Sequence, residues 1–237
     1  MKSGGWRVVV SAEHAGNRVP AEYRALFRGR EALLASHRGW DPGTATLAAA
    51  LAHRLGAALF LADVTRLVVD LNRSPSHPGV FSEITRALSD ARRRDLLREH
   101  HEPHRARVAT HVAECLERGE RVLHLGVHSF TPILGGVPRR ADVALLYDPA
   151  RPLERALAGE WCRALKLRLP EAAVRRNHPY RGASDGLTTT LRRRFAPDRY
   201  LGIEIEVGQR LVGADGNFPK WVEDALVETL PGAGGAG

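Results

Sequence analysis

Arg7-Val8-Val9-Val10-Ser11, followed by Ala12-Glu13-His14-Ala15-Gly16-Asn17, decides the fold. Three adjacent valines in a short run predict a strand buried on both faces, because β-branched side chains suit a pleated, covered surface. The polar stretch from Ala12 to Pro20 then reads as a loop. Similar runs recur at Ala58–Ala62, Arg66–Leu71, Arg121–Val127, Val143–Tyr147 and Tyr200–Val207, with a shorter one at Ala173–Arg175. Between them lie helical patterns. Gly43-Thr44 opens one that runs to Leu55 and closes at Gly56. The charged segment Glu83–Arg118 is mostly helical, with an interruption expected at Pro103. Leu153–Leu165, Asp185–Phe195 and Phe218–Leu230 complete the set. Strands alternating with helices predict an α/β fold with a mixed, mostly parallel sheet covered by helices on both faces. The 237 residues suit a single domain over 1–230, with a short disordered tail at 231–237.

Composition narrows the function. No run of eighteen apolar residues occurs, which argues against a transmembrane helix and a membrane partner. Met1 to Trp6 lack the features of a signal peptide, so the expected location is the cytoplasm. Cys115 and Cys162 stand far apart in helical stretches and form neither a disulfide framework nor a paired zinc motif. The net charge of +8 comes almost wholly from arginine, since lysine occurs only at positions 2, 166 and 220. The densest runs, Arg92–Arg94 and Arg192–Arg194, carry no interleaved aromatic residues. They read as solvated basic faces rather than a nucleic-acid interface.

In sheets of this kind the chemistry gathers beyond the carboxyl ends of the strands. That rule selects Glu13 and His14 after the first strand, Asn72 and Arg73 after the run Thr65–Leu71, and His128-Ser129 after Val127. Near the end of the chain, Ile203-Glu204-Ile205-Glu206-Val207 alternates apolar and acidic residues. Its acidic face would be buried in a covered sheet, and buried carboxylates need a partner. Two histidines at different strand ends with a nearby carboxylate are the parts of an open catalytic zinc site. Zinc acidifies water and polarises a carbonyl, and a further glutamate can move the proton. An asparagine with an arginine can grip a carboxylate.

Taken together, the segments Glu13–Pro20 (EHAGNRVP), His37–Gly43 (HRGWDPG), Thr65–Ser74 (TRLVVDLNRS), His128–Pro132 (HSFTP), Asn177–Gly182 (NHPYRG) and Ile203–Gln209 (IEIEVGQ) resemble the N-formylglutamate amidohydrolase family. The similarity runs from about Val8 to about Leu211. This family is similar to the zinc carboxypeptidase-like amidohydrolases that include the aspartoacylase type. The resemblance implies a zinc carboxypeptidase-like sheet, one zinc ion per chain, and hydrolysis of an amide on a small acidic N-acyl amino acid such as N-formyl-L-glutamate.

Residue by residue, it implies that His14 and His128 bind the metal and that Glu206 is the catalytic glutamate. Asn72 and Arg73 correspond to the pair that holds a substrate carboxylate. The related deacylases place a ligating glutamate three residues after the first histidine, where this chain has Asn17. Asp41 is the preferred replacement ligand and Glu13 the second choice. Arg66 is assigned to the developing oxyanion. Arg66, Arg139, Arg175 and Arg181 are all candidates for a second substrate carboxylate, and Asn177, Arg181 and His104 for the substrate pocket. His100 and His104, spaced i and i+4, are expected to share a helix face. Two alternatives stand beside this reading: a divergent member that cuts another amide or a small peptide, and a non-catalytic binding protein on the same fold.

Overall fold

The computed structural model describes residues 5–232. Positions 233–237, most of the expected tail, lie outside the described residues. In chain order the elements are β1 (Trp6–Ala12), a 3₁₀ turn (Ala21–Phe27), α1 (Glu31–Ala35), α2 (Thr44–Leu55) and β2 (Ala58–Leu61). They continue with α3 (Asp90–Leu96), a π turn (Leu97–His101), α4 (Glu102–Glu117), β3 (Arg121–Phe130), β4 (Ile133–Leu134) and β5 (Val137–Pro138). The last are β6 (Val143–Leu146), α5 (Pro152–Arg168), β7 (Val174–Arg176), α6 (Leu187–Arg194), β8 (Tyr200–Gly208), a 3₁₀ turn (Gln209–Leu211) and α7 (Lys220–Glu228).

Six strands form one sheet in the order β2-β1-β3-β8-β6-β7. All neighbours run parallel except β6 and β8. The three central strands β1, β3 and β8 are therefore parallel, and their carboxyl ends open on the same edge. In register, His128 on β3 faces Glu206 on β8.

The two faces of the central strands differ in chemistry, and the period of two explains it. One face presents Val10, Leu123, Leu125, Val127, Leu201, Ile203, Ile205 and Val207 to a core completed by α2, α5 and α7. The opposite face is apolar only near the strand starts, where Val9, Val122 and Tyr200 pack against α4 and α6. Toward the strand ends it turns polar. Helices thus cover both faces, and most of the polar groups gather toward the end where the strands exit.

A buried ion pair braces β8 from outside this polar face. Glu154 of α5 is fully buried and accepts from Arg192 Nε of α6 at 2.9 Å and from the Gly202 and Asp148 amides at 3.0 and 2.9 Å. With every oxygen engaged, the charge is tolerated inside the protein. The pair ties two helices to the strand that carries Glu206.

Several expectations are corrected. Arg66–Leu71 is not a strand. The segment folds back in turns, with Val68 N–H donating to Thr65 and Asp70 N–H to Val80. Thr85 Oγ1 donates to the Val68 carbonyl, and Arg105 to those of Leu71 and Asn72. Val68, Val69 and Leu71 are buried in a separate small core with Tyr23, Phe27 and Leu96. Apolar packing makes such a run resemble a strand, but side-chain donors and turns satisfy its backbone here. Asn72 and Arg73 accordingly leave a buried loop, not a strand end.

Nor does Pro103 interrupt the helix. The proline lacks the N–H that would close a regular turn, and the preceding π turn absorbs the mismatch, with Glu102 N–H donating to Leu97. That turn separates the two histidines expected on one face: His100 lies beside Tyr23 and Glu22, and His104 beside Glu13. The helical segment also begins later than expected, at Asp90, where Ser89 caps the Arg92 amide.

Candidate active site

The exits of β1 and β3, the loop before α2 and the buried loop at 65–73 converge on four side chains. His14 follows β1, His128 lies in the last turn of the β3 ladder, and Asp41 comes from the loop that opens α2. Asp41 Oδ2 lies 3.4 Å from His14 Nδ1 and 3.2 Å from His128 Nδ1. The other nitrogen of each ring meets a different carboxylate. His14 Nε2 is 2.7 Å from Asp70 Oδ1, and His128 Nε2 is 3.3 Å from Glu13 Oε2. All five residues are nearly inaccessible to solvent.

This donor set fits a divalent metal. Ligand bonds of about 2.0–2.1 Å at tetrahedral angles put neighbouring donor atoms roughly 3.3 Å apart, which is the spacing of Nδ1 and Oδ2 around Asp41. A metal-bound imidazole commonly gives its second nitrogen to a carboxylate that fixes the ring. Asp70 and Glu13 occupy those outer positions. Glu13 therefore faces the far side of His128, away from Asp41. His128 Nε2, Glu13 Oε1, His104 Nε2 and Glu206 Oε2 are buried without a hydrogen-bond partner among the described residues.

Charge follows the geometry. Burial opposes ionisation of every acid here, yet the imidazoles and Arg66 hold Asp41, Asp70 and Glu13 well below the usual carboxylate range. Burial likewise opposes charge on His14 and His128, but the facing carboxylates hold both above the ordinary histidine value. Glu206 differs. Among the described residues it has no arginine partner, and burial pushes it up to about 8, with the Asp41 and Glu204 charges acting in the same direction.

A cavity of about 300 Å³ opens beside these groups, lined by His14, Asp41 and His128 at one end and by Asn72, Arg73, Glu204 and Asp185 toward the other. Glu206, Arg66 and Arg181 also line it, and it continues into a wider cleft past Tyr180. Arg66 is held by Asp70 Oδ2 at 2.8 Å and Asp41 Oδ1 at 3.5 Å. Arg73 Nη1 donates to the Asp185 carbonyl, and Asn72 Oδ1 accepts from the Leu187 amide at 2.7 Å.

Three expected pocket residues lie elsewhere. Asn177 accepts from the Tyr147 and Gly182 amides at 3.0 Å each, so its side chain shapes its own loop. Arg139 lies over the Tyr180 ring and donates to its hydroxyl at 2.8 Å, reaching the cleft only through that tyrosine. His104 sits 3.6 Å behind Glu13, off the cavity wall. Arg175 also stays away, with Nη1 donating to the neighbouring Val174 carbonyl. Conversely, the structure adds residues that the sequence reading passed over. Asp70 braces both His14 and Arg66; an acid inside the apolar run Leu67–Leu71 was the available signal. Arg105 and His101 hold the backbone at 71–73, and no spacing rule points to them.

Deeper along the same polar face, His124 bridges Ser11 Oγ and Tyr200 Oη, each at 2.8 Å. Burial pulls its pKa down to about 4. The unfolded histidine titrates near ~6.5, so the unfolded chain binds the extra proton first. Stability from this group is complete above about pH 6.5 and is lost as pH falls toward 4, by ~3 kcal/mol in all. Urea unfolding of wild type and His124→Gln should show the wild-type advantage shrinking by about 2 kcal/mol from pH 7 to pH 5. Parallel pH profiles would contradict a buried neutral imidazole.

Comparison with known proteins agrees with this geometry. The family model for N-formylglutamate amidohydrolase matches residues 6–212. No curated protein matches the chain. Among solved structures, a gene product from Agrobacterium tumefaciens superposes with a TM-score of 0.77 at 27% identity, covering 96% of this chain and 92% of that one. The N-formylglutamate amidohydrolase from Ralstonia eutropha has the same fold, with a TM-score of 0.70 at 21% identity over 98% of this chain and 94% of that one. With the family match spanning most of the sequence, the chain belongs to the N-formylglutamate amidohydrolase family.

Proposed function

We propose that the protein is a zinc-dependent amidohydrolase that removes a formyl or other small acyl group from an N-acyl amino acid such as N-formyl-L-glutamate. The observation that carries this reading is the placement of His14, Asp41 and His128 at metal-ligand spacing, beside an unpaired buried glutamate and an arginine-lined cavity. His14, Asp41 and His128 would hold the ion. When bound, zinc supplies a Lewis acid for the amide carbonyl and lowers the pKa of water.

The chain's own residues divide the remaining work. Glu206, directly opposite His128 in the ladder, takes a proton from the attacking water and delivers it to the leaving nitrogen. The positive charge of a divalent ion at the three donors would draw the Glu206 pKa down from about 8, into the range where a base works at neutral pH. Arg66, fixed by Asp70 and Asp41, stabilises negative charge on the acyl oxygen. Arg73 and Asn72 orient a substrate carboxylate, and Arg181 at the cavity edge adds a second positive group. No helix among the described residues is long and apolar enough to cross a membrane. We place the protein in the cytoplasm, which suits its two free buried cysteines.

The test is release of formate from N-formyl-L-glutamate by the purified protein, with and without a chelator. Hydrolysis that the chelator stops and added zinc restores is the expected result. Hydrolysis indifferent to the chelator would remove the metal from the mechanism.

A further inference from the structure

The cavity beside the metal donors and the wider cleft outside it, about 490 Å³, meet at a neck. The residues that line both spaces are Asp41, Arg66, Arg73, Ser129 and Tyr180. All but the last are committed to other partners. Arg66 pairs with Asp41 and Asp70, and Arg73 donates to the Asp185 carbonyl. Ser129 Oγ donates to the Pro42 carbonyl at 3.0 Å and accepts from Gln209 Nε2 at 3.1 Å. Tyr180 is the one aromatic ring common to the two walls.

This ring is 43% exposed, yet it is held from both ends. The chain on either side is pinned. Asn177 Oδ1 accepts from the Tyr147 and Gly182 amides at 3.0 Å each, and a Cβ on Gly182 would collide with the Tyr147 backbone. At the tip, the Arg139 guanidinium lies 4.8 Å from the ring centroid and donates to the hydroxyl at 2.8 Å. Arg139 is itself anchored by its amide, which donates to the Pro132 carbonyl at 2.8 Å. A ring so exposed gains little from burial, so these contacts fix where it stands and add little to the core.

We propose that Tyr180, held in place by Arg139, sets the size limit on the acyl group. The proposal rests on the amidohydrolase reading and deepens it, leaving the scissile amide on the α-nitrogen. With a substrate carboxylate at Asn72 and Arg73 and the acyl oxygen toward Arg66, the far end of the acyl group points at the neck. A formyl group carries only hydrogen there and stops short of the ring. A longer chain meets Tyr180 before it reaches the cleft, where Phe81, Phe130 and Leu134 offer apolar wall. Arg139 is a positioning residue that acts through the tyrosine.

Binding separates this assignment from catalysis. Calorimetric titration of zinc-loaded Glu206→Gln protein compares N-formyl-L-glutamate with N-hexanoyl-L-glutamate. The formyl ligand should bind at least ~10-fold more tightly, as for overpacking at a fixed wall. Adding Tyr180→Ala should shift the ratio of the two affinities toward the hexanoyl ligand by ~100-fold, because each added carbon then gains roughly fourfold from burial. Tyr180→Phe keeps the ring and its cation–π contact, so the ratio should stay within about threefold. Arg139→Ala frees the ring and should shift the ratio by about 10-fold. A structural role alone would change both ligands alike. Equal binding of the two ligands with Tyr180 in place would overturn the proposal, as would failure of both to bind. An unchanged ratio in Tyr180→Ala, or the same shift in Tyr180→Phe as in Tyr180→Ala, would overturn it too. Selectivity for the formyl ligand, with no hydrolysis of either by protein with Glu206 intact, would support the size limit and count against the hydrolase reading instead.

Discussion

Glu206→Gln should lower kcat for amide hydrolysis by about 10³-fold while the protein keeps its fold and its metal. Glutamine has nearly the same shape, so the β8 register opposite His128 need not change. What disappears is a group able to accept a proton from water and return it to nitrogen. Burial is the largest influence on Glu206, pushing it up to about 8, and its Oε2 lacks any partner among the described residues. An amide removes an acid whose ionised form burial disfavours, so thermal stability of the metal-free variant should equal or exceed wild type. Steady-state kinetics, metal analysis and a melting curve on one preparation make the test. Turnover within tenfold of wild type would assign the proton transfers to another group.

Asp41→Asn should weaken metal binding by about 10²-fold or more, an effect at or beyond the upper end expected for second-layer residues. Both imidazoles direct Nδ1 at one oxygen of this carboxylate, at 3.4 and 3.2 Å. Arg66 also pairs with its other oxygen. The amide removes the negative charge on which these contacts depend and leaves the arginine with Asp70 alone. Glu13→Gln, by contrast, alters only the group behind His128, so its loss in affinity should stay nearer 10-fold. Competition with a zinc-binding dye measures both. If Glu13→Gln proved the more damaging, Glu13 and not Asp41 would be the third ligand.

The ladder of parallel strands was legible because each central strand marks itself twice, by β-branched residues along its length and by polar residues at its exit. The cap glycines of α2 were equally legible: Gly43 and Gly56 adopt φ of 80° and 58°, where other residues are strained. The loop at 65–73 was not, because apolar periodicity reports burial and says nothing of which donors meet the backbone. Its partners, Thr85 and Arg105, come from distant segments. The same limit applies within the site. His14, His128 and Glu206 could be named from strand exits and family resemblance, whereas Asp70 offers only the signal of an acid inside an apolar run until the turn at 70–73 brings it to His14. Asn177 and Arg139 fail in the opposite way. Their residue types suit a substrate pocket, yet local hydrogen bonds already occupy them.

Metal content tests the central claim most directly. Elemental analysis of purified wild-type protein, reconstituted and then freed of excess ion, should find about one zinc per chain, and His128→Ala prepared in parallel should retain almost none. Wild-type protein that holds no zinc, manganese, iron or cobalt after reconstitution would contradict the account, as would a His128→Ala variant that keeps its full complement.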